Sequence, residues 1–300
     1  MIEYNQQPQK YLEAGDTQIA SFVSDNASNI DWETVESFGE EWTKFSSFST
    51  HELEIMGNDY FDIISQEMLN KDCLVLDVGC GTGRWTKFVG HRCGFIEAID
   101  PSSAVISAAA LLREQKNIRI SHADVNNLPF ADASFDFVFS LGVLHHIPDT
   151  REAMQKCVEK LKPGGHFMVY LYYDFENKGL LFKSIYHASN LIRLVVSRLP
   201  ATLKKLVCDF LALTIYLPMA FLTRLVKRVF GGTLYEKLPI SWYHDKTFNI
   251  MRNDSLDRFG TPLEQRYSRA DIIEMMTSCS LTDIKISDIE PLWHAVGKKS

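Results

Sequence analysis

The chain has 300 residues, 46% hydrophobic and 23% charged, with 31 Lys and Arg against 38 Asp and Glu for a formal net charge of −7. This excludes a disordered or collagen-like chain and describes a moderately acidic globular protein of one large or two modest domains. It also counts against wholesale nucleic-acid binding, which draws its affinity from clustered Lys and Arg. The charge is uneven. Residues 179–231 hold eight basic side chains and one acidic, Asp209, a net of +7, against −14 for all other residues together.

Six scattered cysteines, Cys73, Cys80, Cys93, Cys157, Cys208 and Cys279, form no C-x-x-C pair and have no His at zinc-ligand spacing. They read as reduced thiols, and no metal is expected. The first ten residues carry no apolar h-region and no Arg- and Ser-rich run, so neither a signal nor a transit peptide is expected and the chain is placed in the cytoplasm.

Residues 1 to about 30 are polar and without periodicity, which predicts a mobile arm whose order depends on docking elsewhere. Trp32, Val35, Phe38 and Trp42 then follow helical spacing, and Tyr60, Phe61, Ile63, Ile64 and Met68 form a second amphipathic stretch. Both predict helices packed on a core. A lid bearing Trp42 and Phe45 over a ligand is the sharper alternative. From 73 onward short apolar runs alternate with helical segments, as parallel β/α units do. Strands are expected at 73–78, 94–99, 118–122, 135–139 and 165–171, with helices starting at Arg84, at an N-cap Ser102 and at Asp149. The rhythm breaks after 177 and resumes with a helix from Ser268 through Ser278 and strands at 281–289 and 292–297. This divides the chain into an N-terminal extension (1–70), a core (71–178), an insertion (179–267) and closing elements (268–300).

Three carboxylates mark the chemistry. Asp77-Val-Gly79-Cys80-Gly81-Thr-Gly83 ends a buried strand and opens a helix, where glycines let the backbone approach a ligand and free N–H groups face it. Asp100 closes the next strand, placed to accept two ribose hydroxyls, and Asp124 ends the third, placed to accept from an adenine amino group. Sites at the carboxyl ends of successive parallel strands converge on one crevice. A dinucleotide dehydrogenase needs G-x-G-x-x-G, whereas the spacing here is G-x-G-x-G and leaves Asp124 without a role.

These segments, with Ser134-Phe-Asp-Phe-Val-Phe-Ser140-Leu141-Gly-Val-Leu-His145-His146-Ile-Pro-Asp149 and Leu161-Lys-Pro-Gly-Gly165, resemble in order and spacing the class I S-adenosylmethionine-dependent methyltransferases. The small-molecule branch is the most similar, including quinone-biosynthesis and sugar or natural-product enzymes. The resemblance is dense over about 72–173 and loose over 281–297. It implies an α/β fold with a Rossmann-like, seven-stranded, mostly parallel sheet, helices on both faces, an N-terminal helical extension and an inserted helical cap. It implies S-adenosyl-L-methionine as cofactor, with the Gly79, Cys80, Gly81 and Gly83 backbone passing the methionine end. Asp77 would orient that loop, Asp100 with Pro101 and Ser102 would hold the ribose, Asp124 with Val125 would read the adenine, and Ser140 and Leu141 would line the methyl end. Trp85 stands where the family has a smaller residue, and reads as core or as a wall of the methionine pocket. No Asp/Asn-Pro-Pro-aromatic motif follows the fourth strand, which counts against nucleobase substrates.

Methyl transfer needs an acceptor in line and, for a hydroxyl, a proton acceptor. His145 and His146 are the candidate bases, His145 foremost because it would lie one helical turn after Leu141. Both as packing histidines is the competing reading, and an enolate or amine acceptor needs no base. The expected activity is methyl transfer to a small-molecule or lipid-linked acceptor, at oxygen. Carbon methylation of a quinone-like ring at the membrane and a non-catalytic cofactor-binding regulator are the alternatives.

In the insertion, 206–222 contains Asp209 and Pro218 and reads as too short and broken to cross a bilayer. A helical lid and a membrane-surface patch built on basic helices such as 190–199 both fit it. The second reading adds peripheral contact of 179–231 with the cytoplasmic face of a membrane. Tyr243, His244, Arg258 and Arg266 are the candidate acceptor contacts.

Overall fold

The computed structural model describes residues 2–24, 28–42, 50–176, 179–289 and 293–300. In chain order its elements are β1 (Lys10–Ala14), β2 (Thr17–Ser21), α1 (Trp32–Trp42), α2 (Thr50–Tyr60), β3 (Leu74–Val78), α3 (Arg84–Gly90), β4 (Phe95–Asp100), α4 (Ala104–Leu112), β5 (Ile118–His122), β6 (Phe135–Leu141), α5 (Thr150–Glu159), β7 (Leu161–Tyr170), α6 (Leu180–Val196), α7 (Ala201–Leu211), α8 (Leu217–Phe230), α9 (Phe248–Gly260), α10 (Arg269–Ser278), β8 (Leu281–Ile286) and β9 (His294–Lys299). Two units emerge: Met1–Glu176 with Leu263–Ser300, and Asn177–Pro262.

In the first unit, buried runs such as Val75-Leu76 and Phe137-Val138-Phe139 alternate their side chains between two apolar layers, as strands covered on both faces must. Leu76, Val138 and Phe167 join Met154, Ile272 and Met276 of α5 and α10 on one face. Val75, Phe139, Met168 and Val296 join Phe61, Trp85 and Phe88 on the other. The sheet order is β1-β2-β5-β4-β3-β6-β7-β9-β8. β3 to β7 are parallel, and β9 runs antiparallel between β7 and β8. Strand order therefore reverses between β3 and β6, the point at which open α/β sheets bind ligands.

The sheet has nine strands rather than seven. The two extra ones lie in the segment expected to be a mobile arm: β1 and β2 form a hairpin around Gly15 (φ +63°), and β2 joins β5 in parallel through Ala20 and Ser21. Tyr4, T-shaped on Phe22 with its hydroxyl on Ser121 at 2.8 Å, fastens the arm further. Pairing with an existing strand edge supplies the order that the polar sequence does not advertise. The second amphipathic stretch is also different. The helix runs over Thr50–Tyr60 and stops where the apolar run begins; Phe61 to Met68 form turns whose apolar side chains still pack on the core. Phe45 and the side chain of Trp42 lie outside the described residues.

The second unit is helical. Val196, Cys208, Tyr216, Ala220, Met251 and Phe259 form its core. Arg252 of α9 clasps Asp209 of α7 with two bonds of 2.7 Å. Arg193, counted among the surface charges of 190–199, is buried instead, donating to the carbonyls of Thr261 (2.9 Å) and Pro262 (2.5 Å). The stretch read as short and broken is continuous. α7, a π turn at Ala212–Tyr216 and α8 make one helix from Ala201 to Phe230, long and apolar enough by length and composition to cross a membrane, with mean hydropathy 1.9 over an 18-residue window. Pro218 follows closely on the π turn Ala212–Tyr216, where the regular i→i−4 ladder is already interrupted, and the helix continues past it.

Candidate cofactor and acceptor site

The turn after β3 is shaped by its glycines. Gly79 (φ +85°) has no room for a side chain, since a Cβ there would meet Val143 Cγ2 at 2.5 Å. Gly81 (φ +53°) also needs the left-handed region, but its missing Cβ would point into open space, with nothing within 4 Å. One glycine is thus dictated by packing and the other leaves a cradle. The amides of Gly79 and Cys80 donate to Ile99 O at 2.8 and 2.9 Å, locking the turn to β4.

Each acidic residue is tied into this frame. Asp77 is buried and takes a 2.6 Å bond from Thr86 Oγ1 in α3. Burial pushes its carboxyl up to about 8, against the lowering effect of Thr86 and with a smaller push from Asp100. Asp100 receives Gly81 N–H on Oδ2 at 2.9 Å, and the Ser102 amide and hydroxyl on Oδ1 at 2.9 and 2.6 Å. Burial raises its pKa too. Ser102 takes both lone-pair sites of Oδ1, and Oδ2, holding only the Gly81 amide, keeps one for a ribose hydroxyl. Ser103 is the residue that directly precedes α4, but the Ser102 hydroxyl, while donating to Asp100, accepts from the first helical amide, Ala104 N, at 3.2 Å, as expected of a capping serine. Pro101 O accepts the contact of His122 Nε2 at 2.8 Å.

Asp124 caps a short 3-10 turn, its Oδ1 accepting from Asn126 N at 2.8 Å. Its Oδ2 is buried without a partner. A buried acceptor left open is costly unless something fills it, and an adenine amino group is a donor of the right kind. Together with the Gly81 cradle, this is where the residues present fit S-adenosylmethionine. Val125 turns its side chain into the core, and the buried Ser140 hydroxyl donates to Val78 O at 2.8 Å, so neither side chain offers a free donor to the cofactor. Leu141 is nearly buried among the aromatic layer of β6 and β7.

Residues 76–169 match a family described as methyltransferase domain. Those residues are a class I methyltransferase domain, and its cofactor is S-adenosylmethionine. An uncharacterized methyltransferase of Mycobacterium bovis is 35% identical over 114 residues, 37% of this chain and 57% of that protein. A ubiquinone biosynthesis O-methyltransferase of Psychrobacter cryohalolentis is 34% identical over 162 residues, 47% of this chain and 63% of that protein. The chain thus spans about three-fifths of the length of the curated relatives it matches. A solved methyltransferase from Aquifex aeolicus superposes with a TM-score of 0.45 at 12% identity, covering 84% of this chain and 98% of that one.

At the acceptor side of the methyltransferase domain, Gly142 (φ +77°) ends β6, and Leu144–His146 form a 3-10 turn. His145 is therefore not one α-helical turn beyond Leu141 as expected: β6 stops at Leu141, and Gly142 leads into the 3-10 turn that carries the ring. His145 is fully buried, its ring 4.1 Å from that of His146 and 3.9 Å from that of Tyr172, and both ring nitrogens lack partners among the described residues. Burial, reinforced by His146 and Arg266, drives its pKa well below the ordinary value, so the ring is neutral. His146 instead meets Leu263 O through Nδ1 at 2.6 Å and packs edge-on to Phe38.

Tyr60, Trp85, Tyr170 and Tyr172 complete an aromatic wall, with Tyr60 4.6 Å from Trp85 and 5.2 Å from Tyr170. Trp85 accordingly belongs to both the core layer and this wall. The alternation Tyr170-Leu171-Tyr172 is the sequence signal for two rings on one side of the chain as it leaves β7. Arg266 stacks on Tyr172 and Phe175 at 5.1 and 4.8 Å and pairs with Glu264 at 2.9 Å. It belongs to the first unit; Tyr243, His244 and Arg258 belong to the second. There Tyr243 donates to Asp254 (2.8 Å), His244 contacts Lys227 (2.8 Å), and Arg258 donates to Ser189 (2.9 Å).

Proposed function

We propose that this chain transfers a methyl group from S-adenosylmethionine to a hydroxyl of a small-molecule or lipid-linked acceptor. Asp100 and Ser102 hold the ribose edge, Asp124 Oδ2 accepts from the adenine, and the Gly79–Gly83 turn carries the methionine end. The bound cofactor supplies an electrophilic methyl carbon on a sulfonium. What the protein adds is alignment and a proton acceptor.

The observation that carries the oxygen assignment is His145, a buried imidazole at the end of β6 with both nitrogens unpartnered among the described residues. Kept neutral, it accepts the hydrogen bond of an acceptor hydroxyl and takes the proton as the new O–C bond forms. Its low basicity makes the two events concurrent rather than sequential. Tyr172, stacked on the ring, fixes its plane. The aromatic wall supports an acceptor with a flat apolar body.

The test is methyl transfer to phenolic and aliphatic hydroxyl acceptors by wild type and His145→Ala. Loss of turnover by about 10² or more, with cofactor affinity kept, supports the assignment. Undiminished turnover in the variant removes His145 as base. No turnover of wild type with any acceptor points to a cofactor-binding protein instead.

A further inference from the structure

The helix Ala201–Phe230 is apolar on two faces. Cys208, Ala212, Tyr216 and Ala220 face inward on the core with α9. Leu206, Phe210, Leu213, Phe221, Leu225 and Val229 face outward, each 52–62% exposed. In an unbroken α-helix Leu225 would lie about 100° around the cylinder from Leu206. The wider π turn at Ala212–Tyr216 rotates the second half back, so the outward residues stay in line. α6 adds Leu191 and Val195, each 67% exposed. An apolar surface of this extent on a soluble unit marks an interaction site.

Charge selects the partner. Around this stripe Arg198, Lys204, Lys205, Arg224, Lys227 and Arg228 reach the surface, while the one acidic residue of 179–231, Asp209, is neutralised by Arg252. Apolar stripe and basic surroundings together match an anionic lipid surface rather than an acidic or a neutral protein face. Length alone would let the helix cross the bilayer. Its inner face forbids that: crossing would carry the Asp209–Arg252 pair, and Asp254 and Asp257 of the packed α9, into hydrocarbon. We infer that the unit Asn177–Pro262 lies in the interface of an anionic membrane, its outer stripe in the acyl boundary and its basic side chains at the headgroups.

Flotation of the full chain with phosphatidylcholine vesicles, with and without phosphatidylglycerol, tests this. The protein floats with the anionic vesicles, is released by high salt and by alkaline carbonate, and stays behind with phosphatidylcholine alone. Phe210→Glu with Leu225→Glu abolishes flotation, and Arg228→Gln lowers partitioning about fivefold. All these positions are exposed, so unchanged thermal melting verifies the fold. Three results overturn the inference: no flotation with anionic vesicles, equal binding to both vesicle types, or retention by the Glu double variant. Carbonate-resistant association would make the helix a span. A concentration-dependent dimer that the double variant dissociates, without vesicle binding, would assign the stripe to a second copy of the chain.

Discussion

The amide of Gly81 donates to Oδ2 of Asp100 at 2.9 Å, so the carboxylate placed to hold a ribose also closes the turn that receives the methionine end. Removing it therefore does two things, and a simple loss of affinity would not separate them. Comparing S-adenosylhomocysteine with its 2′-deoxy analogue does. Wild type should prefer the ribose form by about tenfold, a hydrogen bond to a charged group. Asp100→Ala should bind both more weakly and equally by calorimetry. A preference that survives in Asp100→Ala would limit the residue to tying the turn.

The two glycines of the turn should fail in different ways. Gly79→Ala meets Val143, and should lose roughly 2 kcal/mol or more of stability. Gly81→Ala has space, so it should melt within about 1–2 kcal/mol of wild type while losing cofactor affinity, because its methyl stands in the cradle. Full affinity in Gly81→Ala would show that the open side of the turn is not where the cofactor sits.

Asp124→Asn preserves the Oδ1 contact with Asn126 but presents a donor where Oδ2 lay open. Affinity for S-adenosylhomocysteine should fall about tenfold or more with little change in melting. An inosine analogue, whose ring edge accepts instead of donating, should lose its disadvantage in the variant. If the adenine and inosine forms respond alike, Asp124 does not read the base.

Asp77 makes stability depend on pH. Its folded pKa of about 8 lies above the unfolded carboxylate value, so its stabilising share is complete below about pH 4 and is lost as pH rises through 8. The slope approaches about 1.4 kcal/mol per pH unit. Asp77→Asn, a neutral amide in the same place, should match wild type near pH 4, gain on it steadily from there to about pH 8 and level off above it, in thermal melts of the cofactor-free protein. A constant difference between the two across that range would mean that the carboxyl is ionised throughout.

His145 and His146 should separate in the same way that their surroundings do. His145 is held neutral by burial, so the rate should stay flat through pH 6.5 and fall only well below it. An acid limb near 6.5 would rule it out as the group that must be unprotonated. His146→Ala should cost about 1–3 kcal/mol of stability through the orphaned Leu263 carbonyl, with turnover largely kept.

Most of the sheet and the cofactor side were legible because they are local. Val75-Leu-Asp77 followed by alternating glycines, and Asp100 and Asp124 at strand ends, express backbone requirements in neighbouring residues. The parts that were not legible depend on distant partners. Lys10–Ser21 is polar and becomes a hairpin only because β5 offers an edge. Pro218 signals a break, yet it falls just after the π turn Ala212–Tyr216, where the helical ladder is already shifted, and the helix runs on. His145 was legible as a residue type but not as a position, since Gly142 at positive φ and a 3-10 turn replace the helical turn expected after Leu141. The Asp209–Arg252 pair, 43 residues apart, has no signature in either segment.

The β1–β2 hairpin has a practical consequence for anyone who shortens this protein. Cutting back toward residues 76–169 would strip β5 of its neighbour and leave a row of unpaired amides and carbonyls open at the flank of a strongly apolar sheet. Such a fragment would be prone to stack with its own copies through that flank. The polar first twenty residues, which look dispensable, cover that flank with a polar hairpin.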